Sequence, residues 1–155
     1  MHIETARFGI IDVNDRSILH MPEGMLGFEQ CKRFILLEEQ TGSVFKWLQS
    51  VDDPEVAFVV TNPADFFPDY DVELTDEQVE SLDLRDPAEA VMFTTVTIAK
   101  DGGNVTTNLL GPVVINLRTL QARQIVLQDD RYETKHVIGE TASAVREQCE
   151  QALAA

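Results

Sequence analysis

The sequence predicts a mostly β fold: a small single-domain closed or nearly closed β-barrel, with one short helix near residues 75–84 and a helix in the C-terminal tail. About nine short segments are rich in β-branched and aromatic residues and are bounded by turn-forming residues. Helical signals occur in two further stretches. Because so many short strands would otherwise expose unpaired edges, closure of the sheet is the expected arrangement. The length of 155 residues suits one domain with a real core.

The first predicted strands are delimited by glycine and proline. Residues 3–8 alternate imperfectly between apolar and polar and end at Gly9, and residues 17–21 stop before Pro22. Residues 34–37 form a short apolar run that contains β-branched and aromatic residues. All three segments are therefore predicted as strands.

Two stronger strands follow. Residues 45–50 alternate, with Phe45 and Trp47 on one face of the predicted strand. Residues 56–61 are almost continuously apolar, as expected for a strand that is buried on both faces. Trp47, together with Phe58 of this run, is expected in the core.

The second half of the chain predicts a hairpin and three further strands. Residues 91–98 form a strand, and Asp-Gly-Gly-Asn at 101–104 is a hairpin turn, because glycine adopts the positive φ that such a turn requires. The chain from Val105 then pairs back. Ile115 lies in the next apolar strand and is expected in the core. The remaining predicted strands are residues 113–117, 121–127 and 132–138.

The short helix has a recognisable beginning and end. The Thr75 hydroxyl can accept a hydrogen bond from the Gln78 amide while the Gln78 side chain reaches back, which is a capping box. Acidic residues in the first turn favour the helix dipole. Asp86-Pro87 prevents the helix from continuing.

The C-terminal tail has a different composition from the rest of the chain. Residues 140–154 are rich in Ala, Glu and Gln, with apolar residues at a loose helical spacing. The chain is therefore divided into a β-barrel domain, residues 1–139, and a helical tail, residues 140–155.

The net charge of −15 limits the possible partners. Such a surface repels the phosphates of nucleic acids and anionic lipid headgroups, so we expect no direct binding to nucleic acid or membrane. The same field attracts a basic protein. The alternative is that the acidity serves only solubility.

Catalytic and metal-binding patterns are not found. The cysteines, Cys31 and Cys149, are far apart, and neither they nor the histidines have the spacing of metal ligands. The nucleotide-binding and hydrolase motifs that depend on glycine are missing. There is no leader-like N-terminus, and no apolar run reaches about 20 residues. We expect a cytoplasmic protein with reduced thiols, no cofactor and no enzymatic activity.

The acidic residues are concentrated in one segment. Ten acids and a single arginine lie between Asp65 and Glu89, which gives this segment more than half of the net charge of −15. It begins with Phe66, Phe67 and Tyr70 interleaved with prolines and acids. Aromatic residues held in a proline-rich turn make good binding anchors. Alternatively, the aromatics plug the barrel end while the acids form a solvated face, and the two interpretations are compatible.

Four stretches, in a fixed order, resemble the FliW flagellar assembly factor family. Gln124-Ile125-Val126-Leu127 and Tyr132 fit after them, so the match extends over about residues 3–138. Leu26 departs from the family, which usually has proline in its G-L-P-G-F-E turn. Residues 140–155 lie outside the match. The four stretches are PEGMLGFE at 22–29, FKWLQS at 45–50, Asn-Pro to Pro-Asp-Tyr at 62–70, and TNLLGPVVIN at 107–116.

The resemblance implies a small barrel without catalysis that binds two proteins. One is CsrA, a dimeric RNA-binding translational repressor of flagellin messenger RNA, which the family antagonises from a surface away from the RNA. The other is flagellin, whose secretion frees the factor to sequester CsrA, so that flagellin synthesis follows export. We expect a monomer that binds as two copies on a CsrA dimer. The alternative function is a small-molecule-binding β-barrel or flavin-type enzyme.

Two turns are the candidate contact sites for CsrA or flagellin. The first belongs to the acidic segment. The second lies in the motif at 107–116, where two leucines either cap the barrel end or are offered to a partner. The candidate residues are Phe66, Phe67, Asp69, Tyr70, Asp71 and Glu73 in the first turn and Asn108, Leu109, Leu110 and Pro112 in the second.

Overall fold

The computed structural model describes residues 1–38, 43–98 and 105–138. These residues form mainly short strands and one α-helix, which confirms the predicted mostly β, single-domain fold. The hairpin turn at 101–104 and the tail helix at 140–155 lie outside the described residues. The elements are β1 (His2–Thr5), β2 (Gly9–Asp12), β3 (Leu19–His20), β4 (Arg33–Leu37), β5 (Phe45–Ser50), β6 (Ala57–Thr61), α1 (Asp76–Ser81), β7 (Ala90–Ile98), β8 (Val105–Thr107), β9 (Val113–Asn116), β10 (Ala122–Gln124) and β11 (His136–Val137).

The main sheet is antiparallel and has the strand order β10-β9-β7-β6-β5-β4-β3. Strand β7 is long enough to serve two neighbours on one side, because its first half pairs with β9 and its second half with β8. Strand β11 adds to β8, and β1 and β2 form a separate hairpin. The acidic segment is the connection between β6 and β7, which pair directly with each other.

The sheet is open, so the prediction of a closed barrel is wrong. The two end strands, β3 and β10, approach each other through one isolated parallel bridge between His20 and Gln121. The His20 N–H donates to the carbonyl of Leu120 at 2.9 Å. Strand β3 has only two residues because Pro22, which lacks an N–H, follows closely. A ladder that would close the sheet therefore does not form.

Two large clusters fill the interior. The first contains Phe34 of β4, Leu48 of β5 and Val113 of β9, together with Met21, which follows β3. The second gathers around Trp47, which is buried as predicted. Ile115 is also buried, whereas Phe58 is half-buried and packs against the first cluster. Each buried large apolar side chain contributes about 1.5–3 kcal/mol, so these clusters supply most of the favourable free energy of folding.

Helix α1 begins as predicted but ends earlier. The capping box between Thr75 and Gln78 is present. The chain leaves the helix at Asp83, whose φ of +51° is left-handed. The Asp83 N–H donates to the Glu80 carbonyl and the Leu84 N–H to the Val79 carbonyl, which together form a Schellman motif. This local stop precedes Asp86-Pro87, so the proline does not end the helix.

Candidate partner-binding face

The first candidate turn starts directly after β6. The Asn62 side chain accepts a hydrogen bond from the Ala64 N–H at 3.0 Å and so caps a 3₁₀ turn at Pro63–Asp65. The N–H groups of Phe66 and Phe67 both donate to the Pro63 carbonyl. Asn-Pro thus reverses the chain and directs the two phenylalanines back towards the sheet.

The aromatic residues of this turn are half-buried and pack within the molecule. Phe66 stacks on Phe45 with ring centroids 6.1 Å apart and joins the cluster around Trp47. Phe67 meets the ring of His136 edge to face at 5.7 Å. The aromatics therefore plug the end of the sheet, which is the second of the two interpretations of the sequence.

Tyr70 connects the two candidate turns. Its ring meets that of Tyr132 edge to face at 4.7 Å, and its hydroxyl donates to the Leu109 carbonyl at 2.7 Å. Burial raises the pKa of Tyr70, with smaller contributions from Tyr132 and Asp129, so the hydroxyl stays protonated and remains a donor at neutral pH. Tyr132 also bonds to the Asp71 backbone, accepting from its N–H at 3.0 Å.

The second candidate turn is built by an asparagine. The Asn108 Oδ1 accepts hydrogen bonds from the N–H groups of Leu110 and Gly111, both at 3.0 Å. Leu109 is only 1% exposed and Pro112 is buried, whereas Leu110 is half-buried. Of the two alternatives for this turn, the burial of Leu109 and Pro112 favours a role at the end of the sheet, and only Leu110 is partly accessible.

The acidic residues of the first turn face solvent. Asp69, Asp71 and Glu73 are exposed and form no ion pair within the described residues. Their side chains are available for contact, unlike the aromatics between them. The structure thus divides the first candidate turn into a half-buried aromatic anchor and an exposed acidic surface.

Arg118 neutralises part of the acidic segment. It pairs with Asp83 at 3.1 Å and with Glu89. The hydrogen bond from Arg118 is the main reason that the pKa of Glu89 is lowered, and the N–H groups of Arg85 and Asp86 lower it further. The sequence pattern does not reveal this pairing, because Arg118 comes from the turn between β9 and β10.

Asn116, the last residue of the 107–116 motif, anchors helix α1. Its side-chain amide donates to the carbonyls of Leu82 at 2.7 Å and Asp83 at 3.1 Å, and its Oδ1 accepts from the Arg118 N–H at 2.9 Å. The residue is fully buried and its side chain satisfies three backbone groups. The acidic segment is therefore held on the sheet at a fixed position.

The turn at 22–29 contains Leu26, at the position where the resemblance leads one to expect proline. The Leu26 N–H donates to the Gln124 Oε1 at 2.9 Å, a hydrogen bond that proline cannot donate. The Gln124 Nε2 in turn donates to the Gly111 carbonyl at 3.1 Å. Gln124 thus joins this turn to the 107–116 motif.

Two further findings concern the class of protein. In the described part of the chain, no group of three or more His, Cys, Asp and Glu side chains is arranged to hold a metal ion. No helix among the described residues is both long enough and apolar enough to span a lipid bilayer.

Comparison with known proteins identifies close relatives. The family model described as FliW protein matches residues 2–138. The flagellar assembly factor FliW of Geotalea uraniireducens is 44% identical over 142 residues, which cover 92% of this chain and 86% of that protein. The protein of the same name from Geobacter sulfurreducens is 47% identical over 136 residues, 88% of this chain and 85% of its own.

A solved structure has the same fold. The crystal structure of the flagellar assembly factor FliW superposes with a TM-score of 0.82 and 32% sequence identity, over 91% of this chain and 99% of that one. Both the sequence and the three-dimensional arrangement thus agree with the same group of proteins.

Proposed function

The chain belongs to the FliW family, and from this premise we propose that it is a cytoplasmic flagellar assembly factor that binds CsrA and flagellin. As an antagonist of CsrA it couples the translation of flagellin to its export. It acts without catalysis, as a monomer that binds in two copies on a CsrA dimer.

The observation that carries this proposal is the exposed acidic surface of the first candidate turn. Asp69, Asp71 and Glu73 form no ion pair within the described residues, although Arg131 attracts Asp71, and they extend from an anchor that Tyr70 and Tyr132 hold in place. Side chains that are already positioned lose little conformational entropy when they meet a partner. A basic protein surface is the complementary partner.

The charge also suggests how antagonism works. CsrA must be basic where it holds RNA, because affinity for RNA depends steeply on the neutralisation of phosphates. A docked protein of net charge −15 places a negative potential beside the RNA path. RNA affinity then falls even though the RNA-binding surface is not covered.

The test measures the affinity of CsrA for RNA in the presence of saturating protein. The variant carries Asp69→Asn, Asp71→Asn and Glu73→Gln. It should weaken RNA binding less than the wild type does, and the difference should shrink at high salt, since exposed charges are screened beyond about 8 Å at physiological ionic strength.

A matched control removes the same number of charges elsewhere. The control carries Glu4→Gln, Asp15→Asn and Glu55→Gln. All three positions are exposed and lie outside the acidic segment. This control should antagonise CsrA as the wild type does. The electrostatic mechanism is wrong if the acidic-turn variant still docks and antagonises equally at low and high salt. If neither CsrA nor flagellin from the same cell forms a complex at micromolar concentration, the proposed function itself is wrong.

A further inference from the structure

We propose that the outer edge of residues 125–128 accepts an extended peptide strand carrying lysine or arginine, which adds to the sheet beside β10. This inference goes beyond the proposed function, because it concerns a backbone-binding edge and holds whichever protein supplies the strand.

The first step is that strand pairing continues past β10. Strand β10 pairs with β9 so that Ala122 faces Ile115 and Gln124 faces Val113. In the same antiparallel register, the Ile125 N–H donates to the Pro112 carbonyl at 2.8 Å and the Leu127 N–H donates to the Leu110 carbonyl at 2.8 Å. Residues 125–127 therefore run as a strand along one side of the 107–116 motif.

The pairing is one-sided for a chemical reason. Pro112 has no N–H to return, and the Leu110 N–H already donates to the Asn108 Oδ1. Residues 125–127 are thus bound to the sheet by their own donors only. This accounts for a strand that is regular at β10 and incomplete beyond it.

The opposite edge of the same residues is open. Successive N–H groups of a strand point to alternate sides, so those of Val126 and Gln128 point away from the sheet. Neither donates a hydrogen bond within the described part of the chain. The Val126 side chain is 53% exposed. The bridge from His20 to Gln121 lies just before β10, so the edge at residues 125–128 is further from the opposite end of the sheet.

A groove runs along this open edge. It has a volume of about 470 Å³ and is bounded on one side by residues 125–129. Its opposite wall comes from the acidic segment, through Asp71, Glu73, Thr75 and Gln78. An added strand lies about 4.8 Å from the edge to which it bonds, which places it inside this groove.

The charge of the groove selects the occupant. Asp129 is paired with Arg131 at 2.8 Å, so these two charges balance. Asp71, which Arg131 also attracts, and Glu73 form no ion pair within the described residues, so three carboxylates and one guanidinium line the groove and leave it net negative. A cationic strand can accept hydrogen bonds from the backbone edge and place its positive side chains against the acidic wall. A second copy of the chain would instead bring together two proteins of net charge −15.

The test uses a short synthetic peptide of alternating valine and lysine, labelled for fluorescence anisotropy. Val126→Pro removes the outward N–H without removing a hydrogen bond made by the folded chain, and Val126→Ala keeps that N–H as the matched control. The peptide should bind the wild type and Val126→Ala, and should bind Val126→Pro about tenfold more weakly. The same peptide with glutamate in place of lysine should not bind.

Amide hydrogen exchange on the wild type supplies a second readout that does not depend on the variant folding. The peptide should protect the amides of Val126 and Gln128. Equal binding to Val126→Pro and Val126→Ala, or binding without protection of these amides, would overturn the proposal. Protection of these amides in the free protein would also overturn the proposal. Protection that depends on protein concentration would mean that a second copy occupies the edge. Protection that is independent of concentration would mean that another part of the same chain occupies it.

Discussion

The hydroxyl of Tyr70 donates to the carbonyl of Leu109 at 2.7 Å, and this hydrogen bond joins the two candidate turns, which are 39 residues apart in sequence. The side chain of Leu109 is buried, with 1% of its surface exposed. The position of the exposed acids near Tyr70 therefore depends on a partly buried hydrogen bond.

Tyr70→Phe should lower the free energy of unfolding by about 1–2 kcal/mol. The ring still packs on Tyr132, but the Leu109 carbonyl loses its donor. Urea unfolding followed by circular dichroism measures the change. Tyr132→Phe is the control and should cost less, because its hydroxyl bonds at 3.0 and 3.2 Å to an exposed residue, Asp71. An equal loss of unfolding free energy in the two variants would mean that the hydrogen bond to Leu109 stabilises the fold no more than the exposed one to Asp71.

The raised pKa of Tyr70 predicts a loss of stability in alkali. In the unfolded chain the phenol deprotonates near its ordinary pKa of 10.0, whereas burial keeps it protonated in the folded protein. The unfolded state then binds fewer protons, so the contribution is fully present below about pH 10 and is lost as pH rises towards the folded pKa. The midpoint of urea unfolding should fall between pH 9 and pH 11 more steeply for the wild type than for Tyr70→Phe. Parallel profiles would contradict this.

Gly24→Ala and Gly9→Ala should differ although both glycines have positive φ, +66° and +70°. A Cβ at Gly24 would lie 2.7 Å from the Glu29 Cα and 2.8 Å from the Phe28 carbonyl oxygen, whereas one at Gly9 meets nothing within 4 Å. Gly9→Ala should therefore cost only the backbone strain of about 1–2 kcal/mol. Gly24→Ala should cost clearly more, because backbone atoms must move. Thermal unfolding of both variants measures the two losses of stability. Similar losses would contradict the prediction and would show that the backbone of the turn at 22–29 moves at little cost.

Asn116→Ala should cost about 3 kcal/mol, since it leaves the buried Leu82 carbonyl and the Arg118 N–H without their partner, while the Asp83 carbonyl keeps only its hydrogen bond from the Arg118 side chain. Asn108→Ala is the comparison, because Asn108 also caps a turn but is only half-buried. It should cost about 1 kcal/mol. Limited proteolysis should cut Asn116→Ala within the acidic segment, where the helix has lost its anchor. Resistance equal to that of wild type would contradict the anchoring role.

Local patterns predicted most of the secondary structure. Residues 45–50 are a strand with the predicted bounds, and the capping box at Thr75 is formed. Strand β2 does not follow from the local pattern, because Gly9 indicates the end of the first strand, whereas in the structure it begins the strand that pairs with β1. Closure of the sheet was predicted wrongly, because the pairing of β3 with β10 depends on two distant segments that each have too few residues.

The candidate site was predicted in part. The exposed acids at 69, 71 and 73 follow from composition and turn chemistry. The inward position of Leu109 does not, because it depends on Tyr70. The partners Arg118 and His136 were also not predicted, since both come from later in the chain and no local pattern pairs them with the acidic segment.

The acidic segment is, topologically, the loop of a hairpin. Strands β6 and β7 are consecutive and pair through Val60 and Thr95, so residues 62–89 connect the ends of two neighbouring strands. The entropy of closing such a loop grows with the logarithm of its length, and each doubling costs only about 0.6 kcal/mol. The segment can therefore change in length or charge with little effect on the sheet, provided that the packing of Phe66 and Leu82 and the contacts to Asn116 and Tyr132 are kept. The charge of its exposed acids can be changed separately from the sheet.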